Sequence, residues 1–326
     1  MNGDYKGLMV FAEQRDNRIH PVSYELLGKG TELAQQLGIE VSGLVLGNNL
    51  GDEVNELFYY GAQKVYYIDH PQLADFDLLN YKHNIVRLIN EVRPETVLFG
   101  ATHLGRSLAP RVAAALSTGL TADCTSLEIG DEGNLVQIRP AFSGNIFAHI
   151  RTTTRPQMAT VRYKVMKPLA RDSSRSGEIV KKEADIVDSV LKVVSKESAG
   201  GLNIAEAEII VCGGRGLKQA QDFDVLADLA DALGGTVGCT RPVVDEGWME
   251  KGHQVGFSGN TVKPKLYIAV GLSGSPQHLA GMRDSDVILA INSDPSAPIF
   301  KVADYGIVGD LYEVVPKLAA EARQRS

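Results

Sequence analysis

Residues 266–282 read LYIAVGLSGSPQHLAGM. LYIAV is an apolar run of strand length, GLSGS is a small-residue turn, and Pro276 stands where a helix would start. A buried strand running through such a turn into a helix start is the repeating unit of a parallel α/β sheet. Sheets of this kind bind ligands beyond the carboxyl ends of their strands. The turn therefore sets Gln277 and His278, an amide and an imidazole, beside backbone N–H groups at a strand mouth. Two readings are open: a polar loop capping a helix, or a site for a flat, polar, partly anionic group.

The same alternation extends in both directions. From residue 208, EIIVCGG, FDVLADLADALGG, TVGCTRP, LYIAVG, QHLAGM, DVILAIN and the terminal helix DLYEVVPKLAAEARQ compose one parallel α/β unit of about 120 residues, a normal domain size. In the first half GLMVFAE (7–13), VSGLVLG (41–47), KVYYID (64–69) and TVLFGAT (96–102) read as strands. VSYELLGKGTELAQQLG and LLNYKHNIVRLINEV between them show helical periodicity. After about residue 120, ADCTSLEIG, LVQIRPAF, IFAHIRT and QMATVRYKVM follow without helices, and an antiparallel extension is expected. The expected fold class is α/β with two domains, each a doubly wound, mostly parallel sheet, the second Rossmann-like or flavodoxin-like. Boundaries are expected at 1–200 and 201–326, with the connection in RDSSRSGEIVKKE (171–183) or KESAGGLN (196–203).

The 326 residues are 44% apolar and 22% charged, as in a globular protein. A net charge of −7 without a basic stripe argues against nucleic acid as a partner. Apolar runs are strand-sized, so no membrane insertion is expected, and MNGDYKGLMVFAEQ lacks the form of a signal peptide; a cytoplasmic location is the expectation. Cys124, Cys212 and Cys239 have no disulfide or metal-ligand spacing and read as buried packing.

Chemistry-bearing residues recur just after the strands of the second half. IIVC is followed by GGRG (213–216), TVGC by Thr240-Arg241-Pro242, LYIAV by GLSGSPQH, VILAI by Asn292-Ser293-Asp294, and GIVG by Asp310. GGRG is neither G-x-G-x-x-G nor a P-loop; its glycines permit close backbone approach, and its Arg suits a phosphate or solvent. Successive small residues in GLSGSPQH suit a pyrophosphate at a helix N-terminus. His103 and Arg106 in GATHLGRSLAPR (100–111) read instead as domain or subunit contacts. Neither G-x-S-x-G nor H-E-x-x-H occurs, so redox or transfer chemistry would belong to a bound cofactor.

Several stretches together resemble one family. VCGGRGLK, TRPVVDEGW, HQVGFSGNTVKPKLYIAVGLSGSPQHLAGM, AINSDPSAPIF and VADYGIVGDLYEVVP are similar, in order, to the α subunit of electron-transfer flavoprotein. FAEQ, GAT-x-x-GR-x-LAPR-x-A and GLTADCT extend the likeness through the first half. The resemblance implies noncovalent FAD in the C-terminal domain, with Arg215 near the dinucleotide and Arg241, preceded by Thr240, against the isoalloxazine ring. The family's V-G-Q-T-G loop corresponds to Val255, Gly256, Phe257, Ser258 and Gly259, with Ser258 as the hydroxyl near flavin N5 and Phe257 in place of Gln. Ser273, Gly274, Ser275, Pro276, Gln277 and His278 correspond to the pyrophosphate turn and the His facing the pyrimidine end. Asn292 and Asp310, with Leu311 beside them, match residues at the adenosine half.

On this reading His278 and Arg241 stabilise the negative charge of reduced flavin. A cation about 4 Å away at an effective dielectric near 20 is worth roughly 4 kcal/mol, on the order of 170 mV. The resemblance further implies a heterodimer with a β subunit carrying AMP or a second FAD, and a mobile FAD domain. It implies an acyl-CoA dehydrogenase of fatty acid oxidation, or another dehydrogenase, as electron donor, and a downstream acceptor. TVKP (261–264) inclines the reading toward electron bifurcation. The alternatives are a self-contained flavin or nicotinamide oxidoreductase, for which no acid, base or thiol stands out, and a non-redox nucleotide-binding module.

Overall fold

The computed structural model describes residues 5–141, 146–189 and 204–325. The chain divides into two compact units, Met1–Val194 and Ser195–Ser326. The boundary between them, like the KESAGGLN stretch, lies outside the described residues.

The first unit runs β1 (Leu8–Ala12), a short hairpin of β2 (Gln14–Arg15) and β3 (Arg18–Ile19), α1 (Pro21–Leu37), β4 (Val41–Gly47), α2 (Glu53–Tyr59), β5 (Lys64–Asp69), α3 (Leu78–Val92), β6 (Thr96–Gly100) and α4 (His103–Ala115). It continues through β7 (Leu120–Cys124), β8 (Ser126–Ile129), β9 (Leu135–Ala141), β10 (Ile146–Arg151), β11 (Gln157–Val161) and β12 (Glu178–Lys182). Seven strands in the order β12-β5-β4-β1-β6-β11-β7 form one sheet with every pairing parallel. Along β1, Leu8, Val10 and Ala12 enter one core and Met9 and Phe11 the other, because successive strand side chains alternate faces. Both faces are covered, which is why the run reads as continuously apolar. Helix starts are marked chemically: Asp77 Oδ1 accepts from the N–H groups of Leu79 and Asn80, and Thr102 Oγ1 from that of Gly105.

Two expectations are corrected here. Of the described strands after residue 120, β8, β9 and β10 form an antiparallel sheet, whereas β7 and β11 are parallel members of the main sheet. Parallel neighbours need a crossover, and here an antiparallel sheet supplies it where a helix usually does, so helical periodicity is missing. RDSSRSGEIVKKE, one of the two candidate connections, belongs to the first unit: β12 pairs with β5 at the sheet edge, and Arg171 grips Glu56 at 2.7 and 2.8 Å. An edge strand has one neighbour and much solvent, so it needs few large apolar residues. The backbone then continues along α3, where Asn84 and Asn80 hold residues 185 and 187 by side-chain amides.

The second unit contains β13 (Ile209–Gly213), α5 (Phe223–Leu233), β14 (Thr236–Cys239), α6 (Arg241–Asp245), β15 (Leu266–Val270), α7 (Pro276–Leu279), β16 (Ile288–Asn292), β17 (Tyr305–Val308) and α8 (Leu311–Arg325). Its sheet order is β14-β13-β15-β16-β17, all parallel, the flavodoxin-like winding. Residues of α5 and α8 cover Val211, Ile268, Val270 and Ile291 on one face. The other face, with Ile210, Cys212, Tyr267 and Ala269, is covered by Val255, Val262, Leu272, Met282 and Ile299, which come from loops and short turns. One helical layer is thus reduced to segments that also carry the strand-end polar residues.

All three cysteines are free and buried, as the sequence implies. Burial pushes the Cys124 and Cys239 thiols up to about 12, away from thiolate chemistry. Among the described residues no helix is long and apolar enough to cross a membrane, and no cluster of His, Cys, Asp and Glu suits a metal.

Candidate functional site

The winding reverses between β13 and β15, and the loops leaving these strands touch backbone to backbone. Gly214 N–H donates to Val270 O at 3.0 Å and Gly216 N–H to Gly271 O at 2.7 Å. A Cβ at Gly214 would lie 2.6 Å from Gly271 O, and one at Gly216 2.7 Å from Gly271 Cα, so the glycines of GGRG serve this approach. Arg215 between them is exposed, its nearest acid, Glu246, 4.0 Å away.

Gly274 has φ +80°, and a Cβ there would fall 2.6 Å from the backbone N of Ile299. Ile299 N–H in turn donates to Ser273 O at 3.0 Å, and Asn292 Nδ2 donates to Leu272 O at 3.0 Å. The turn is thus held from behind by β16 and the 298–301 segment. The backbone N–H groups of Ser273, Gly274 and Ser275 have no acceptor among the described residues, and the hydroxyl-bearing Ser273 and Ser275 are exposed. Consecutive free donors on a backbone that excludes side chains fit an anionic group such as a diphosphate. The expected helix behind the turn is a single turn, Pro276–Leu279, because the chain bends at Gly281, whose Cβ would meet Gly256 at 2.5 Å. So short a helix has little macrodipole, and the loop N–H groups are the donors this turn offers.

The 255–260 loop lies against this turn. Val255 N–H donates to Cys239 O at 2.9 Å, Phe257 N–H to Gln277 O at 2.8 Å, and Gly256, at φ +143°, bends the chain between them. Gln254 Nε2 donates to Ser258 Oγ at 3.0 Å, leaving the Ser258 O–H free to donate outward. Phe257 is 75% exposed and uses only its backbone. Replacing Phe257 by Gln is therefore expected to leave the thermal unfolding midpoint nearly unchanged, within about 0.5 kcal/mol in stability. A loss well beyond that in a melting experiment would mean that the ring packs on something.

Thr240 N–H donates to Gly213 O at 3.1 Å, which ties the end of β14 to that of β13. Arg241, first residue of α6, is exposed, with Nε 3.4 Å from Asp245 Oδ2 one turn on. An exposed pair of this kind is weak, so the guanidinium is available to a stronger anion. Asp310 and Leu311 organise the start of α8: Asp310 Oδ1 accepts from Tyr312 N–H at 2.9 Å, and Leu311 is buried in the core under α5 and α8.

His278 departs from the sequence expectation of a cation. It is 5% exposed, with Nε2 3.0 Å from the Tyr267 hydroxyl and Nδ1 3.1 Å from Val255 O. Burial lowers its pKa from 6.5 to about 4, against a smaller upward pull from the Val255 carbonyl. The ring is uncharged at neutral pH, which leaves Arg241 and Arg215 as the site's positive groups. Its folded pKa lies below the unfolded one, so the stabilisation is present above about pH 6.5 and is lost as pH falls toward 4. That difference corresponds to about 3 kcal/mol. Urea unfolding between pH 7 and pH 4.5 should show this slope in the native chain and a shallower one in His278→Gln; equal slopes would assign it elsewhere.

Arg215, Thr240, Arg241, the 273–278 stretch, Asn292, Asp310 and Leu311 follow strand ends on the carboxyl edge of this sheet, and the 255–258 stretch meets them through Val255 N–H to Cys239 O and Phe257 N–H to Gln277 O. Sequence reasoning missed Tyr267, hidden inside an apolar strand pattern, and Gln254, which holds Ser258. It also missed the Tyr312 hydroxyl, which accepts from Lys218 N–H at 3.0 Å and donates to Asp222.

A flavodoxin-like parallel sheet whose switch-point loops offer close-packed glycines, free N–H groups and exposed arginines belongs to the nucleotide- and flavin-holding class of α/β proteins. Comparison narrows the class. Residues 8–187 match the electron transfer flavoprotein domain and residues 203–283 the electron transfer flavoprotein FAD-binding domain. The chain is 48% identical to electron transfer flavoprotein subunit alpha of Thermoanaerobacterium thermosaccharolyticum, covering 98% of this chain and 99% of that one. It is 48% identical to the lactate dehydrogenase (NAD(+),ferredoxin) subunit LctC of Acetobacterium woodii, over 96% of this chain and 76% of that one. It is 46% identical to the protein FixB of Clostridium saccharobutylicum, over 98% and 97%. The chain belongs to the electron transfer flavoprotein family, in its alpha-subunit and FixB branch.

Proposed function

We propose that the C-terminal domain, residues 201–326, holds one FAD along its carboxyl edge and that the chain works as an electron carrier. The observation that carries this reading is the 271–275 turn, a backbone that admits only glycine at position 274 and leaves consecutive N–H groups free. Those groups would hold the diphosphate, with Arg215 near it. Asn292, Asp310 and Leu311 shape the adenosine end. Val255 to Ser258 and Pro276 to His278 border the ring, Thr240 fixes the start of α6, and Ser258 offers a donor. FAD, when bound, supplies reversible uptake and release of electrons. The protein's own part is to orient the cofactor, exclude water beside the buried His278, and place the Arg241 charge where it biases electron uptake.

The first domain, residues 1–200, serves in this reading as the platform for a β subunit that carries AMP or a second FAD. Electrons enter from a partner dehydrogenase and leave to a second redox protein. The likeness to a subunit named for both NAD(+) and ferredoxin favours splitting of electron pairs between two acceptors over simple relay. The test is the flavin and nucleotide content of the copurified two-subunit complex. Two FAD per complex support splitting, and one FAD with one AMP supports relay. A colourless complex carrying only ATP or AMP would return the chain to the nucleotide-module reading. Vigorous NADH-to-dye activity of the isolated chain would favour a self-contained oxidoreductase.

A further inference from the structure

We propose that Tyr267 is a positioning residue of this site: its hydroxyl fixes His278 as the neutral imidazole protonated at Nδ1, and that N–H clamps the loop bearing Ser258. The proposal deepens the flavin reading and rests on it.

The assignment follows from donor and acceptor matching. A backbone carbonyl can only accept, so the 3.1 Å contact between His278 Nδ1 and Val255 O requires the proton on Nδ1. In the neutral ring Nε2 is then the acceptor, and the Tyr267 hydroxyl at 3.0 Å donates to it. The Cys212 thiol is a further buried neighbour of the Tyr267 hydroxyl, while the hydrogen bonds run from Tyr267 through His278 to Val255. Tyr267 and Cys212 are fully buried and His278 nearly so, so bulk water cannot substitute for a lost partner. The two rings lie 6.1 Å apart at 55°, so the contact is the hydrogen bond and not stacking.

The groups facing this pair from neighbouring strands are Cys212 on β13 and Cys239 on β14; neither is charged at neutral pH, and among the described residues no carboxylate acts on His278. The Val255 carbonyl is the one group there that favours a proton, and burial outweighs it. The strut is also mechanically placed. Val255 is fixed through its N–H to Cys239 O and through its carbonyl to His278, and two residues on Phe257 N–H reaches Gln277 O. The position from which Ser258 projects is thereby set from inside the core by a phenol on β15.

The test uses the FAD-loaded two-subunit complex with 15N-labelled histidine. The native His278 should show one neutral tautomer with the proton on Nδ1, unchanged from pH 5.5 to 8.5. Tyr267→Phe should give mixed tautomers or an imidazole that titrates within that range, a flavin midpoint that becomes pH-dependent there, and FAD affinity about tenfold weaker. Cys212→Ser, which leaves the phenol and its contact with His278 in place, should preserve the native tautomer. A Tyr267→Phe complex with an unchanged single tautomer and an unchanged midpoint profile would overturn the proposal. Should that variant fail to fold, the native spectrum still decides, because a cationic or Nε2-protonated His278 contradicts it. A native complex without FAD would instead refute the flavin reading while the tautomer readout stood.

Discussion

Replacing Gly274 by alanine should empty the site of flavin and destabilise the C-terminal unit by about 3 kcal/mol. Two costs combine. The residue sits at φ +80°, where an L side chain costs roughly 1–2 kcal/mol. The new Cβ would also stand 2.6 Å from the backbone N of Ile299, which cannot swing aside as a side chain would. Relief of that overlap costs about 1–3 kcal/mol and breaks the register between Ser273 O and Ile299 N–H that shapes the turn. Gly234 is the control: it has φ +67°, and nothing lies within 4 Å of its Cβ position. Gly234→Ala should lose only the conformational part and retain flavin. Denaturant unfolding and flavin content, measured on both, separate the two costs. Equal losses in the two variants would mean that the crowding at Ile299 is unimportant.

Arg241→Gln should lower the flavin reduction midpoint by on the order of 100 mV. A cation about 4 Å from the ring would give roughly 170 mV at an effective dielectric near 20, and solvent exposure reduces this. The side chain is 67% exposed and shares its charge with Asp245 at 3.4 Å, which argues for the smaller figure. With His278 uncharged, Arg241 should account for most of the electrostatic bias, and the shift should shrink at high salt. Asp245→Asn, which frees the guanidinium, should move the midpoint the other way. Potentiometric titration of the three complexes reads this directly; a midpoint unmoved by Arg241→Gln would remove the charge from the account.

How much of this was legible beforehand depended on what each feature needs from its neighbours. Val41–Gly47 and Lys64–Asp69 begin and end in the structure where their apolar runs do, because turn chemistry punctuates them. The C-terminal alternation was equally plain, since its strands, the exposed edge strand Tyr305–Val308 apart, are largely buried apolar runs. By contrast, Gln157–Val161 was misread because its parallel partners are distant in sequence and no helix announces the return. Glu178–Lys182 was read as a candidate connection because an edge strand can be polar. Residue types at the strand ends directed the reading to this edge of the sheet, whereas the charge state of His278 was beyond reach. It depends on burial, and the Tyr267 hydroxyl that meets Nε2 is masked in a sequence pattern that shows only an apolar strand.

The most direct test is an experimental structure of the two-subunit complex with its native cofactor. The account predicts FAD on the carboxyl edge of the second sheet, with diphosphate oxygens within about 3.2 Å of the N–H groups of Ser273, Gly274 or Ser275. A complex whose only nucleotide lies elsewhere, with those N–H groups facing solvent, would contradict it.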